Sequence, residues 1–597
     1  MFTKMIGFAL SAFFPLAGLA YTCQASEVRY ADFVADSPGG GYSDQFGFAA
    51  DVDGEWAAVS FPQDGVQVGS GGSVRLYRRS SGGFDFFEDI YPDPIPSLAF
   101  GIRHLDLRGD LLVVDAALYI PPSGGHIGAV YVFRFDGMHW VMEGFLEAAD
   151  PAWPSTGFGQ SFTIVDNDTI LIGSHADTRS PVSAVNLQDG SWSPTVQYGT
   201  FGSIYVFERT SVGWAQTQRF GLHYPPEAAG FNDEATLSGY SLAADGDTVV
   251  VGNLQYGIWQ LSGIGGLYHA NLVKRHSTGV WYDAGPIRRF GGHENELFGY
   301  SVAIEGDLMA IGAPVYADIL HYLHPGRVHL YREISGTWVH ETTLFASDAS
   351  VLVTPGGEVS DRFGESVSIH DGRVLVGGKW QRPDGGPKIL GSGYLFEDRN
   401  GVWQEVYRCW TPDDDGNAFH TQEMGRVVAL DEDVALVTDP LGLAGSVWGS
   451  GSAHFFYLPF GATTCDGVVN STGSPAHLEM SGSRKVQFGH LRARVDSLPQ
   501  GQAGMLLAGT SSALLPGAGG SMGTLCLGGN LARFGSQIAY PDSEGKVQIA
   551  IDMSAIPTNP SSAIGSGDTW YFQYWYRDQV GGQGTSNFSG AVSVGFH

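Results

Sequence analysis

The sequence predicts an all-β protein: a seven-bladed β-propeller of four-stranded blades, closed by an N-terminal strand and followed by an antiparallel β-sandwich. Three observations predict it. A two-strand phrase recurs seven times, further strand-like runs follow each copy, and after Pro459 the phrase stops and the composition changes. The best preserved copy runs Phe298-Gly299-Tyr300-Ser301-Val302-Ala303-Ile304-Glu305-Gly306-Asp307-Leu308-Met309-Ala310-Ile311-Gly312-Ala313-Pro314. Others begin at Phe46-Gly47, Phe100-Gly101, Phe158-Gly159 and Phe363-Gly364, with degenerate copies at Ser238-Gly239 and Met424-Gly425. Their glycines lie 54, 58, 80, 60, 65 and 61 residues apart, a period suited to propeller blades.

The first two strands of each unit flank a tight turn, such as Asp53-Gly54, Gly109-Asp110, Asp245-Gly246-Asp247, Glu305-Gly306-Asp307 or Asp371-Gly372. Gly, Asn and Asp tolerate the positive φ such turns need. The flanking runs, for example Thr248-Val249-Val250-Val251, are β-branched and lack polar alternation, as expected of strands covered on both faces. A third strand reads Gly128-Ala129-Val130-Tyr131-Val132-Phe133 or Gly326-Arg327-Val328-His329-Leu330-Tyr331. A fourth opens on an aromatic residue: Trp140, Trp214, Trp281, Trp338, Trp403, or Phe84 in the first copy. These aromatics hold a fixed place in the repeat and are expected to pack between blades. The last repeat ends at Tyr457-Leu458-Pro459 without a fourth strand. Val28–Val34, ahead of the first repeat, is expected to supply it and so shut the ring without an open edge.

These units resemble the FG-GAP repeat family, the blade type of the integrin α-chain head and of many secreted bacterial proteins. The resemblance covers roughly residues 27–460 and implies a propeller. The family often carries an Asp-x-Asp-x-Asp-Gly calcium loop between the first two strands. Here that connection is a turn of about three residues with one or two acids, too few oxygens for a seven-coordinate cage, so calcium binding is not carried over. The other acid-rich stretch is Asp413-Asp414-Asp415-Gly416-Asn417, which makes Asp413 and Asp415 the candidate Ca²⁺ ligands. No other cofactor is expected.

The chain has 597 residues, of which 85 are Gly, and a formal net charge of −30. That charge disfavours nucleic acid, which needs a basic surface. Residues 1–25 read as a signal peptide: Lys4, an apolar run from Met5 to Ala20, then small residues suiting cleavage after Ala20 or Ala25. No stretch is expected to span a membrane. The protein is therefore expected to be exported, whether secreted, periplasmic or at the cell surface, and monomeric. In an oxidising compartment Cys465 is expected to pair with Cys526. Cys409 is expected to be a buried free thiol on a fourth strand; cleavage after Ala20 would leave Cys23 able to link to it.

Residues 461–597 form the expected β-sandwich. In Trp570-Tyr571-Phe572-Gln573-Tyr574-Trp575-Tyr576, alternation places Trp570, Phe572 and Tyr574 on one face and Tyr571, Gln573 and Trp575 on the other. Together with Leu525-Cys526-Leu527-Gly528-Gly529 and Thr585-Ser586-Asn587-Phe588-Ser589, this run resembles a C-terminal module of secreted planctomycete-like and myxobacterial-like proteins.

No catalytic constellation emerges. Gly519-Gly520-Ser521-Met522-Gly523 matches a nucleophile elbow but lacks the following helix that motif requires. Arg108-Gly109-Asp110 spells an adhesion tripeptide at the place of the recurrent turn. His293-Glu294-Asn295-Glu296 lacks the second His of a zinc signature. In an up-and-down blade, the turns 1–2 and 3–4 lie on one face and the connections 2–3 and 4–1 on the other. Length variation falls in the second set, for example in 174–200, 220–237, 345–362 and 411–423. A partner is expected on that face. The expected function is non-enzymatic binding or adhesion to an extracellular protein or glycan. The alternative is a hydrolase or lyase, acting for instance on carbohydrate, with carboxylates at the channel mouth.

Overall fold

The computed structural model describes residues 27–597 except 30, 38–44, 64–70, 93–99, 120–127, 150–156, 176, 178–181, 186–191, 196–201, 223–235, 256–268, 289–296, 318–322, 350, 355–356, 381–389, 411–421 and 445–446. The leader at 1–25, Cys23 and the candidate ligands Asp413 and Asp415 lie outside the described residues.

The described chain is all-β and mostly built of four-stranded antiparallel sheets. Sheet 1 contains Ala50–Asp53, Trp56–Phe61, Ser73–Ser80 and Gly83–Ile90. Sheet 2 contains Leu105–Arg108, Leu111–Ala116, Ala129–Phe135 and Trp140–Leu146. Sheets 3 to 6 repeat the pattern, starting with Phe158–Asp166, Thr236–Asp245, Ser301–Glu305 and Phe363–His370. Sheet 7 takes three strands from Val428–Asp431, Val434–Asp439 and Ser452–Tyr457, and its fourth from Phe33–Asp36. There Phe33 pairs with Phe455 and Asp36 with Ser452.

The N-terminal segment differs from the expected single strand at Val28–Val34. Glu27–Arg29 runs parallel to Tyr407–Cys409 on the outer edge of sheet 6, and only then does Phe33–Asp36 join sheet 7. Asp32 explains the break. Its amide donates to Phe455 O at 2.9 Å and its carboxylate accepts the Tyr457 amide at 2.8 Å, which fixes the crossing between sheets.

The Phe-Gly pair has a physical reason. All seven glycines, including those of the degenerate copies, hold φ between +72° and +90°, a region costly for any residue with a Cβ. The preceding Phe46, Phe100, Phe158, Phe298 and Phe363 are fully buried. Several meet their own third strand edge-on, as Phe100 meets Tyr131 at 5.3 Å and Phe158 meets Tyr205 at 5.1 Å. Gly173, Gly252, Gly312 and Gly377 on the second strands touch the carbonyl oxygens of Gly239, Gly299, Gly364 and Gly425 in the following sheet. Ser161, Ser241 and Ser301 then donate to the same carbonyls of Gly239, Gly299 and Gly364 at 2.6, 2.9 and 2.8 Å. One glycine admits the neighbour's backbone, and one serine satisfies it.

Apolar clusters fill the spaces between sheets. Trp56, Leu76, Leu107, Val114 and Trp140 belong to one cluster between sheets 1 and 2. Val52, Val59 and Tyr77 of sheet 1 share another with Leu436, Phe455 and Tyr457 of sheet 7. Trp281 is fully buried between sheets 3 and 4, while Trp214, Trp338 and Trp403 pack on the edges of their clusters. Cys409 lies fully buried on its fourth strand.

After residue 460 the strands form sheets of their own. Ala462–Cys465, Gln583–Gly595, Thr569–Val580, Gly504–Gly509 and Ala532–Arg533 make a five-stranded sheet. His477–Gly482, Leu491–Asp496 and Val547–Ile551 make a three-stranded one. Trp570, Phe572 and Tyr574 enter the core between them. Tyr571 and Trp575 face a hairpin of Ser511–Pro516 and Thr524–Gly528. The fully buried Gln573 holds that hairpin: it accepts from Cys526 N at 2.9 Å and donates to Thr524 O and Ser589 O, each at 2.9 Å. Cys465 is disulfide-bonded to Cys526.

This C-terminal unit docks on the short-turn ends of sheets 1, 6 and 7. The side chain of Arg79 is fully buried, donates to Gly482 O at 3.0 Å and stacks on Phe488 at 5.0 Å. Arg484 reaches Asp433 at 3.4 Å, Lys485 reaches Glu432 at 3.4 Å, and Tyr457 meets His490 at 4.4 Å. Arg79→Ala is expected to weaken the junction by about 2 kcal/mol, the scale of a charged hydrogen bond. Calorimetry should then separate one unfolding transition into two; an unchanged single transition would show that Arg79 does not couple the units.

Candidate binding site at the start of the first strands

In each copy the Phe-Gly pair, or its Ser-Gly or Met-Gly variant, is followed by a variable residue: Phe48, Ile102, Gln160, Tyr240, Tyr300, Glu365 and Arg426. The left-handed glycine turns the chain there, so this position comes at the start of the strand, on the side of the long connections. Several of these side chains touch across sheets. Tyr240 and Tyr300 lie 5.2 Å apart as tilted rings. Burial raises the Tyr300 hydroxyl above its ordinary value, and Glu365 adds to the shift. Glu365 Oε1 binds Lys379 Nζ at 2.7 Å, and Lys379 lies 3.8 Å from Glu423. Glu423 binds Arg426 at 2.8 Å, and the Arg426 guanidinium lies 3.8 Å from the centre of the Phe48 ring. In the other direction, Tyr240 meets His175 at 6.0 Å. Burial lowers the His175 imidazole, as does the charge of Arg103.

The series Arg103, His175, Tyr240, Tyr300, Glu365, Lys379, Glu423, Arg426 and Phe48 takes at least one member from each repeat. Direct contacts run from His175 through Tyr240 to Tyr300 and from Glu365 through Lys379, Glu423 and Arg426 to Phe48, while charge alone links Arg103 to His175 and Glu365 to Tyr300. Phe48, Tyr240, Tyr300 and Arg426 are half-buried. Lys379 and Arg362 both stack on Trp380, at 5.3 and 4.8 Å. Rings, cations and carboxylates together suit recognition of a polar ligand. Sequence reasoning pointed to this face but missed these residues. The available signal was a position next to the retained glycine where large polar and aromatic residues occur in place of a fixed core residue.

Three buried acids, Asp51 and Asp106 on first strands and Asp115 on a second strand, serve the backbone. Asp51 accepts from Leu107 N at 2.9 Å, and Asp106 from Ile164 N at 2.7 Å, each across to the next sheet. Burial raises both carboxyls, and for Asp51 the nearby Asp106 adds to the rise. Asp115, pushed up to about 7 by burial, accepts the amides of Arg103, His104 and Ala117.

The other sequence motifs resolve as structure. Arg108-Gly109-Asp110 is a hairpin turn in which Arg108 donates to Ile164 O and Val165 O, Gly109 N to Asp53, and Asp110 pairs with Arg134. Ser521 sits in the turn of the C-terminal hairpin, its hydroxyl 2.5 Å from that of Ser586. Among the described residues, no group of three or more His, Cys, Asp or Glu side chains is placed to hold a metal. No helix among them is long and apolar enough to cross a membrane.

A concavity of about 540 Å³ lies away from these residues, at the opposite, short-turn end, lined by Glu305, Asp307, Arg332, His370, Glu432 and Arg484 among others. Its charges are internally paired, as in Arg332 with Asp307 at 3.0 Å and His597 with Glu432 at 3.1 Å. Burial favours the neutral Glu432 carboxyl, but the His597 hydrogen bond and the Lys485 charge outweigh it and hold the group below its usual range.

Residues 291–331, which span the best preserved Phe-Gly phrase and its third strand, match the family model described as FG-GAP repeat. This segment is an FG-GAP repeat. The FG-GAP phrase is what sets the left-handed glycines and the serine contacts of the sheets described above. A search of solved structures matched the β-propeller domain of the Trilobed protease from Pyrococcus furiosus, at 9% identity and TM-score 0.34, over 66% of this chain and 90% of that one. Similarity at that level carries no argument about this chain. No curated protein matches it in sequence.

Proposed function

We propose that the seven FG-GAP sheets are blades of one ring closed by the N-terminal strand, and that the protein is exported and acts without catalysis. In this reading it is a secreted, periplasmic or cell-surface binding or adhesion protein. It presents the long-connection face to an extracellular protein or glycan. One observation carries the reading: two runs of side-chain contacts, His175–Tyr240–Tyr300 and Glu365–Lys379–Glu423–Arg426–Phe48, cross from repeat to repeat near the start of the first strands. The docking of the C-terminal unit on the opposite ends supports the choice of face.

Closure is supported by the cluster shared by sheets 1 and 7 and by the pairing of Phe33–Asp36 with Ser452–Phe455. Ala35 and Ala453 are register partners, so Ala35→Cys/Ala453→Cys is expected to form a bridge on oxidation, seen as a reducible gel-mobility shift. Absence of the bridge would count against closure by this strand.

The binding reading is tested with the full-length protein on glycan and extracellular-protein arrays, with and without Ca²⁺. A ligand lost on Tyr300→Ala is expected; array binding that ignores changes at Tyr300, Glu365 and Arg426 would move the site elsewhere. The hydrolase alternative would draw on Asp51 and Asp106, the raised acid pair, but each already accepts a backbone amide. Turnover of a glycoside panel that disappears in Asp106→Asn would favour that alternative.

A further inference from the structure

We infer that the Arg362 sector of this face binds the carboxylate of a short acidic saccharide, a uronate sugar. The inference rests on the binding role proposed above and names its ligand chemistry.

Arg362 stands apart from the neighbouring cations. Lys379 is held by Glu365 and Glu423, and Arg426 by Glu423. Arg362 makes no ion pair with any described residue, and its Nε is shut from solvent without an acceptor. Its guanidinium is fixed on Trp380 at 4.8 Å, and its charge reaches the Tyr300 hydroxyl. Its backbone has φ +61°, a left-handed conformation unusual for a long side chain. A stacked guanidinium keeps its planar fork available, and that fork matches a carboxylate bidentately.

The surroundings select a sugar. Tyr240 and Tyr300 offer adjacent half-buried rings, each with an apolar face and a polar tip. Glu365 has one oxygen on Lys379 and its other oxygen, Oε2, buried without a partner, which keeps a net negative group behind Tyr300. The formal charge of −30 repels a long polyanion. One cation without an ion pair among the described residues, beside two tilted tyrosine rings, fits a single acidic residue of a short saccharide better than a run of acidic peptide side chains.

The test titrates trigalacturonate and its carboxyl-reduced trimer into the full-length protein by calorimetry, at low salt. The acid form should bind about 10-fold or more tightly than the neutral trimer, the scale of a charge-assisted pair. Arg362→Gln should abolish that preference and Arg362→Lys should restore part of it. Arg362→Gly should also abolish it while keeping or raising the melting temperature, because glycine accepts φ +61° without strain. Equal affinity for the two trimers, or a preference that survives Arg362→Gly, overturns the uronate assignment and leaves the binding role intact. Tighter binding of tetraglutamate than of trigalacturonate overturns it in favour of an acidic peptide. If neither trimer nor peptide binds and the arrays also yield no ligand, both readings fail together.

Discussion

Gly312→Ala is expected to lower the stability of the FG-GAP region by about 3 kcal/mol, the upper range for forcing an atom into a filled interior. A Cβ at Gly312 would overlap Gly364 O in the next sheet and Ser301 Oγ in its own. The obstacle is another sheet's backbone, so no rotamer change relieves it; the two sheets must move apart. That would also disturb the hydrogen bond from Ser301 to Gly364. Gly306→Ala is the control. Gly306 sits at the hairpin tip with φ +57°, and a Cβ there would have no neighbour within 4 Å, so only the conformational cost of about 1 kcal/mol applies. Chemical denaturation of both variants checks the contrast. Equal losses would mean that the close approach of sheets 5 and 6 is not what the second-strand glycine is for.

Cys465→Ser/Cys526→Ser is expected to cost the C-terminal unit about 4 kcal/mol, by the loop-entropy relation for cysteines 61 residues apart. The bridge joins an edge strand of the five-stranded sheet to the hairpin that covers it, and Gln573 grips the same hairpin from below. With the bridge gone, the hairpin is held by Gln573 and the small cluster of Leu507, Leu527 and Phe588. The melting transition of this unit should fall while that of the FG-GAP region moves little. A reduced protein that unfolds like the oxidised one would show that Gln573 and the cluster suffice.

Much of the strand layout was legible because its causes are local. An Asp-Gly turn, a β-branched run and a buried aromatic act within a few residues of themselves, so repeating them repeats the sheet. The degenerate copies at Ser238-Gly239 and Met424-Gly425 were readable for the same reason: the glycine that must take a positive φ was retained. The N-terminal strand was placed beside the correct partner but with the wrong extent. The crossing at Asp32 depends on hydrogen bonds to Phe455 and Tyr457, more than 400 residues away, and nothing near Asp32 announces them.

The sequence by itself determined the repeating unit and the two faces of the Trp570–Tyr576 strand, because backbone conformation and side-chain alternation are set by neighbours along the chain. Only the tertiary structure decided which variable residues meet. His175 meets Tyr240 and Phe48 meets Arg426, and these partners come from positions separated by one repeat or more along the chain. The physical reason is that a ligand site is defined by distances between side chains, and those distances follow from how the sheets pack rather than from any single sheet's own sequence.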